Sequence, residues 1–337
     1  MRRARLAGVA FAVGVVVGVS SKVEAQPSSQ TVRAMDVIVD HDGDADDLIA
    51  ITLLMKSPAV RIRAITVCPG NAHLEPATRA SQRFLDRLGG QNITIAQGHS
   101  PGTNPFPEAW RQSADSLADL PALAGATPKA PNPIVKDDAA HHLVSLLSGT
   151  QKYTILETGP LTNIADALEL RPSIKNNITH IYVMGGAVRV KGNVEQPGHD
   201  GSAEWNFFNE PRAAAAVVAS GIPITLVALD ATNKVPLNRD FIGRLKKQPS
   251  IASRLASQAW ELVADLIDSS QYFFWDTLTA AALIDPGIVR TEDLRIRVIT
   301  TGASQGRAIE ASDGALIQVA VNADRARVEQ LFLDRLR

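Results

Sequence analysis

From residue 35 onward, short apolar runs alternate with stretches whose apolar residues recur every three or four positions. The runs 35–40, 60–68, 92–96, 153–158, 178–184, 222–229 and 294–300 are mostly apolar and bounded by turn formers, so they read as buried strands. The segments 46–56, 76–88, 137–147, 162–170 and 210–220 carry helical spacing. This alternation predicts an α/β fold built on an open, mainly parallel (mixed) sheet with helices on both faces. One stretch breaks the rhythm: 98–133 is rich in Pro, Gly, Ser and Asp, yet holds Phe106 and Trp110. A loop of that length inside a compact domain is either functional or disordered, and its aromatic residues favour function. No linker separates two cores, so 35–337 reads as a single domain with a long loop over its site.

The first 34 residues follow a different pattern. Arg2, Arg3 and Arg5 precede an apolar run from Leu6 to Val19, followed by Val23-Glu24-Ala25. That is the layout of a secretory signal peptide over 1–25, with 26–34 as a short leader. The run is shorter than the ~20 residues that span a bilayer, so no stable membrane insertion is expected after cleavage. Export to a periplasm or to the outside follows from it. The full chain has a net charge of −1, but residues 1–25 hold four Lys or Arg and one Glu, so the mature chain is more acidic. A basic nucleic-acid-binding surface is therefore not expected. Cys68 is the one cysteine, which rules out an internal disulfide and a thiolate metal cluster.

The densest chemical signal follows the first strand. Asp40-His41-Asp42-Gly43-Asp44-Ala45-Asp46-Asp47 places five Asp in eight positions, where a strand gives way to a helix. Helix capping accounts for one or two of them. Five crowded carboxylates repel one another unless a cation offsets them, and oxygen donors suit Ca²⁺ or Mg²⁺. An EF-hand loop starting at Asp40 fails, because Ala45 and Ile51 stand where Gly and Glu belong. The Asp-x-Asp-Gly start of a haloacid-dehalogenase-type phosphatase fits Asp40 to Gly43, but Asp44 replaces its Thr.

Asp40, Asp42, Asp46 and Asp47 also match the Asp-x-Asp-x-x-x-Asp-Asp signature of the inosine–uridine-preferring nucleoside hydrolases. Further matches follow in order: Gly70-Asn71, Thr158-Gly159-Pro160-Leu161-Thr162-Asn163, Met184-Gly185-Gly186, Asn193, Glu204-Trp205-Asn206 and Trp275-Asp276. The chain thus resembles that family over almost its whole mature length. The resemblance implies a Rossmann-like nucleoside hydrolase fold. It also implies Ca²⁺ held by Asp42, Asp47, the Thr158 carbonyl and Asp276, with Asp42 as general base toward a water. Asp46 would accept hydrogen bonds from the ribose hydroxyls, and Asn71, Met184, Asn193, Glu204 and Asn206 would contact the nucleoside. Trp205 would form a wall of the sugar site. Homodimers or homotetramers are also implied. A metal-dependent phosphatase, or a non-catalytic nucleoside- or calcium-binding protein, is the alternative.

Pyrimidine-accepting members carry a His just before the late Asp, a natural general acid. Here that residue is Trp275, and no His follows His199. Trp-Asp at this point and the run Asp40-His41-Asp42-Gly43 resemble the purine-specific subclass, in which aromatic rings stack on the leaving base. Trp275 is then one ring and Trp110 the other, with Phe106 as the alternative to Trp110. Stacking favours the larger purine surface. Trp260, within the helical stretch 251–267, reads as core, and Cys68 as buried and inert.

Overall fold

The computed structural model describes residues 34–125 and 130–337, with residues 1, 8, 10, 12 and 14 besides. The signal peptide and most of the leader lie outside the described residues. Arg33–Arg337 forms one compact unit. Among the described residues, no helix is long and apolar enough to cross a membrane.

The strands are β1 (Met35–His41), β2 (Val60–Val67), β3 (Thr94–Gln97), β4 (Tyr153–Glu157), β5 (Ile178–Met184), β6 (Ile224–Val227), β7 (Val289–Val298), β8 (Ala308–Glu310) and β9 (Ala315–Ala323). They form one mixed sheet in the order β3-β2-β1-β4-β5-β6-β9-β7-β8. Every pairing from β3 through β9 is parallel, and β7 pairs antiparallel with both β9 and β8.

Because successive side chains of a strand point to opposite faces, β1 feeds two cores. Val37 and Val39 pack with helices Ala45–Met55, Ile251–Glu261 and Asp276–Ile284. Ile38 packs on the other side with helices Ala139–Leu147, Thr162–Leu170 and Pro211–Val218. The result is a three-layer α/β/α arrangement with no solvated face on the central strands, which is why they read as continuous apolar runs.

The structure corrects two expectations. The stretch 98–133 is not irregular throughout, since it holds helix Glu108–Asp115 and two 3₁₀ turns, Ser116–Asp119 and Pro121–Leu123. The last strand expected at 294–300 begins earlier, and β8 and β9 were not anticipated. These strands form the antiparallel edge, where alternate residues face solvent and charges break the apolar signal.

Candidate active site

The chain reverses its sheet order at β1, whose neighbours are β2 and β4. Ligands of open α/β sheets bind beyond the strand carboxyl ends at such a switch point. Asp40 pairs with Glu157 in the β1–β4 register, so the next residues, His41-Asp42 and Thr158-Gly159, emerge side by side. Asp42 is 3 % exposed, and its Oδ2 accepts the Asn71 N–H at 3.0 Å. That fit requires glycine beside it. A Cβ on Gly70 would stand 2.2 Å from Asp42 Oδ2, and one on Gly159 would stand 3.1 Å from Asp42 Cβ.

Helix Ala45–Met55 opens immediately after. The Asp44 N–H donates to Asp47 Oδ2 at 2.8 Å, and the Thr158 hydroxyl donates to Asp47 Oδ1 at 2.5 Å. Asp276 is the first residue of helix Asp276–Ile284, and its N–H lies 3.5 Å from Asp46 Oδ2. The fold thus gathers at one sheet edge carboxylates 230 residues apart in sequence.

Burial dominates their electrostatics. Loss of water raises Asp42 from 3.8 to about 6 and Asp46 from 3.8 to about 7. Asp47 and Asp276 are pushed well above the carboxylate range, first by burial and then by neighbouring carboxylates. Glu204, also buried, rises from 4.5 to about 7 for the same primary reason. Behind the site, Asp40 is raised to about 6 and Glu157 well above its usual range, both chiefly by burial. His41 is pushed down to about 3 by burial, and its ring reaches Ser81 Oγ at 2.9 Å rather than the cavity.

The donor chemistry fits a hard cation. The oxygens are buried and mutually repelling, and Lys191 is the one basic side chain lining the cavity among the described residues. The expected four-donor set is not closed into a cage, however. Among the described residues, no three His, Cys, Asp or Glu side chains form a metal-binding group. Both Asp47 oxygens and Asp42 Oδ2 accept from N–H or O–H donors, while Asp42 lies against Asp47 and Asp46 against Asp276.

These groups open into a cavity of about 1120 Å³, ample for a small ligand. Asp42, Asp46, Asn71, Thr158, Met184, Asn193, Glu204, Asn206 and Asp276 line it, whereas Asp47 is not part of the lining. The sugar-side residues are fixed by hydrogen bonds. Glu204 caps the short helix Trp205–Asn209, accepting from the Asn206 and Phe207 N–H groups, and also accepts from Gly186 N–H. Asn193 Oδ1 accepts from Trp205 N–H at 3.1 Å. Asn206 Nδ2 donates to the carbonyls of Thr158 at 3.2 Å and Met184 at 3.3 Å.

Rings also line it: Phe106, Trp110, Trp205, Tyr272, Phe273 and Trp275. Phe106 stacks on Trp205 with centroids 5.1 Å apart, so one of its faces is already taken. Trp110, by contrast, is 45 % exposed. Four buried polar atoms on cavity residues have no hydrogen-bond partner among the described residues: Asn71 Oδ1, Trp205 Nε1, Tyr272 Oη and Trp275 Nε1. No histidine lines the cavity among the described residues. Tyr272 and Asp44 belong to this lining as well. Tyr272 escaped the sequence reading, though the aromatic run Tyr272-Phe273-Phe274-Trp275 before Asp276 was a signal for it.

An acidic cavity at the switch point of a mixed α/β sheet, walled by aromatic rings, defines a small-molecule enzyme of the Rossmann-like class. The chain matches the family model described as inosine-uridine preferring nucleoside hydrolase over residues 37–330. It belongs to that family of enzymes, which hydrolyse the N-glycosidic bond of ribonucleosides. Among solved structures, an inosine-uridine preferring nucleoside hydrolase from Bacillus anthracis superposes with a TM-score of 0.83 at 37 % identity, covering 90 % of this chain and 98 % of that one. A purine-preferring ribonucleoside hydrolase from Gardnerella vaginalis gives 0.74 at 26 %, covering 89 % and 98 %. Among curated relatives, the pyrimidine-specific ribonucleoside hydrolase RihA of Escherichia coli O8 (strain IAI1) is 29 % identical over 316 residues, covering 90 % of this chain and 99 % of that one.

Proposed function

We propose that the protein is a calcium-dependent purine nucleosidase. The observation that carries the purine reading is the cavity wall, which offers tryptophan rings and no histidine among the described residues. Ca²⁺ would be held by Asp42, Asp47, Asp276 and the Thr158 carbonyl, and when bound it orients the ribose and acidifies water. Asp42 takes a proton from the attacking water, whose oxygen bonds to C1′ as the C1′–N9 bond breaks. The electron pair leaves with the purine, which solvent protonates, and Asp42 then returns its proton to solvent. Asp46, Asn71 and Asn206 hold the sugar while positive charge develops on it, and the surrounding carboxylates stabilise that charge. Trp275 and Trp110 stack on the base. Asp44 adds a carboxylate to the same wall. Export by the leader at 1–25 and assembly into a homodimer or homotetramer belong to the same reading.

A phosphatase is disfavoured, because Lys191, the one basic residue of the lining among the described residues, is largely exposed and paired with Glu195 at 3.6 Å. The test is ribose and phosphate release from inosine, uridine and a phosphomonoester, with chelator and with calcium restored. Ribose from inosine at a kcat/KM at least about tenfold above uridine, lost on chelation, is the expected result. Preference for uridine, as in the relatives named for pyrimidines, would remove the purine assignment, and phosphate release would remove the nucleosidase.

A further inference from the structure

If Trp110 receives the purine, as the proposed function has it, its helix must be held in place, yet little apolar packing does so. Of the eight residues of helix Glu108–Asp115, Arg111 and Ala114 are buried, and nearly half of the Trp110 surface is in water. The chain before the helix is anchored from the sugar side. The Thr103 N–H and hydroxyl donate to Glu210 Oε2 at 2.9 and 2.6 Å, and the Asn104 N–H donates to the Asn209 carbonyl at 2.9 Å. The helix itself is gripped by His73. The His73 N–H donates to Asp115 Oδ1 at 2.9 Å, its ring Nδ1 stands 2.6 Å from Asp115 Oδ2, and its Nε2 stands 3.4 Å from Glu108 Oε1. Arg79 and Arg83 grip the following turn at Asp119 instead. Glu108, Arg111 and Asp115 recur at helical spacing and so share one face, with Arg111 Nε 3.4 Å from Glu108 Oε2. Trp110 leaves from another face and meets Trp205 edge-on.

We propose that His73 is a positioning residue of this site: by bridging Asp115 and Glu108 it holds the Trp110 helix over the cavity, so that the indole is set before the base arrives. The inference rests on Trp110 as a stacking ring. His73 follows Asn71 by two residues, and the Asn71 and Ala72 N–H groups donate to Asp42 Oδ2 and the Asp42 carbonyl at 3.0 and 3.1 Å. One short segment thus joins the acid side of the site to a ring of its aromatic side, and the His73–Asp115 contact is the joint between them. A ring held in place beforehand loses less freedom when a ligand docks, so the contact acts on KM more than on kcat. A second pair of the same form shows what is particular here. The His141 N–H donates to Asp138 Oδ1 at 2.9 Å, and its Nδ1 stands 2.8 Å from Asp138 Oδ2, but that pair caps a single helix, Ala139–Leu147. His73 and Asp115 are 42 residues apart and join two different helices.

The test is ribose release from inosine and uridine by His73→Ala and Asp115→Ala, each alone and in a Trp110→Ala background, with His141→Ala as the control. For each single variant the expected result is a KM for inosine raised about threefold, with kcat within about twofold of the wild-type value and a smaller rise in KM for uridine. In the Trp110→Ala background the same substitutions add nothing, because the ring they position is gone. His141→Ala leaves both constants unchanged. An unchanged KM for inosine, a full effect that persists without Trp110, equal losses of kcat on both nucleosides, or the same rise in KM from His141→Ala would each overturn the assignment. A wild-type protein that releases no ribose from inosine would overturn the purine reading itself, and this inference with it.

Discussion

Two aromatic clusters in this molecule use nearly the same residue types for different ends. In the core, Trp260, Phe241, Phe274 and Phe332 form a closed tetrad in which every ring meets every other, with centroids 5.3–6.1 Å apart. At the cavity, Phe106, Trp110 and Trp205 meet one another, and Phe208 packs on Trp205 without lining the cavity. Trp205 touches the other three, while Trp110 leaves nearly half its surface to solvent. Closed contact spends the whole ring on packing, whereas an open face keeps surface for a ligand. The indole N–H groups sharpen the point. Trp260 Nε1 is unpartnered too, but Trp260 lines no described cavity, so an orphan donor matters only where a ligand can reach it.

The largest effect expected from this contrast is on stability. Trp260→Ala empties the centre of the tetrad, and such truncations cost about 3–5 kcal/mol. Denaturant unfolding should show that loss, with the melting temperature roughly 10 °C lower. The fraction that remains folded should turn over nucleoside at close to the wild-type rate. A Trp260→Ala protein of wild-type stability would erase the distinction between the clusters.

Trp275 stands between the two, packed partly on the core and partly on the cavity beside Met184 and Leu229. Trp275→Ala should lower kcat/KM on inosine by about 10²-fold, while calcium affinity, read from calcium-dependent melting, changes little. Equal losses in turnover and metal binding would assign Trp275 to the packing side.

The same contrast separates what the sequence made legible from what it hid. β1, β2, β4 and β5 are bounded to within a residue because β1 and β4 are buried almost throughout and β2 and β5 end in buried residues, with polar positions confined to their earlier parts. β7 to β9 were blurred because Arg290, Glu292, Asp293, Arg295 and Arg297 interrupt β7, one strand of an antiparallel edge half open to water. The acid side of the site announced itself because five Asp in eight positions are hard to explain otherwise. The aromatic side was legible only where a motif flanked it, as with Trp205 and Trp275. Tyr272 lies outside any motif, and only the fold brings it to the cavity wall.

The acid side predicts a pH response that the aromatic core lacks. Asp42, Asp46 and Glu204 bind protons more tightly in the folded chain, with values raised to about 6, 7 and 7. Between their unfolded values near 4 and these, the native state keeps protons that the unfolded chain has lost, so stability falls as pH rises. In chelator the melting temperature should therefore drop between pH 5 and pH 8. Added calcium should restore it at pH 8 and do little at pH 5, where protons already neutralise the cluster. Trp260→Ala should keep the same pH slope at a lower melting temperature. A flat profile in chelator would mean that these carboxylates are not buried as charges in solution.

The smallest effect tests the exposed ring of the cavity cluster. Trp110 sits on helix Glu108–Asp115, its ring edge-on to Trp205 at 4.9 Å and much of its surface in water. Truncation there removes little buried area, so Trp110→Ala should change stability by no more than about 1 kcal/mol. If its exposed face receives the purine, KM for inosine should rise about three- to tenfold, with a smaller change for uridine, whose single ring offers less to stack. The difference between the two nucleosides is the informative quantity. A loss shared equally by both would mean that Trp110 only shields the cavity, and would leave Trp275 to account for base preference alone.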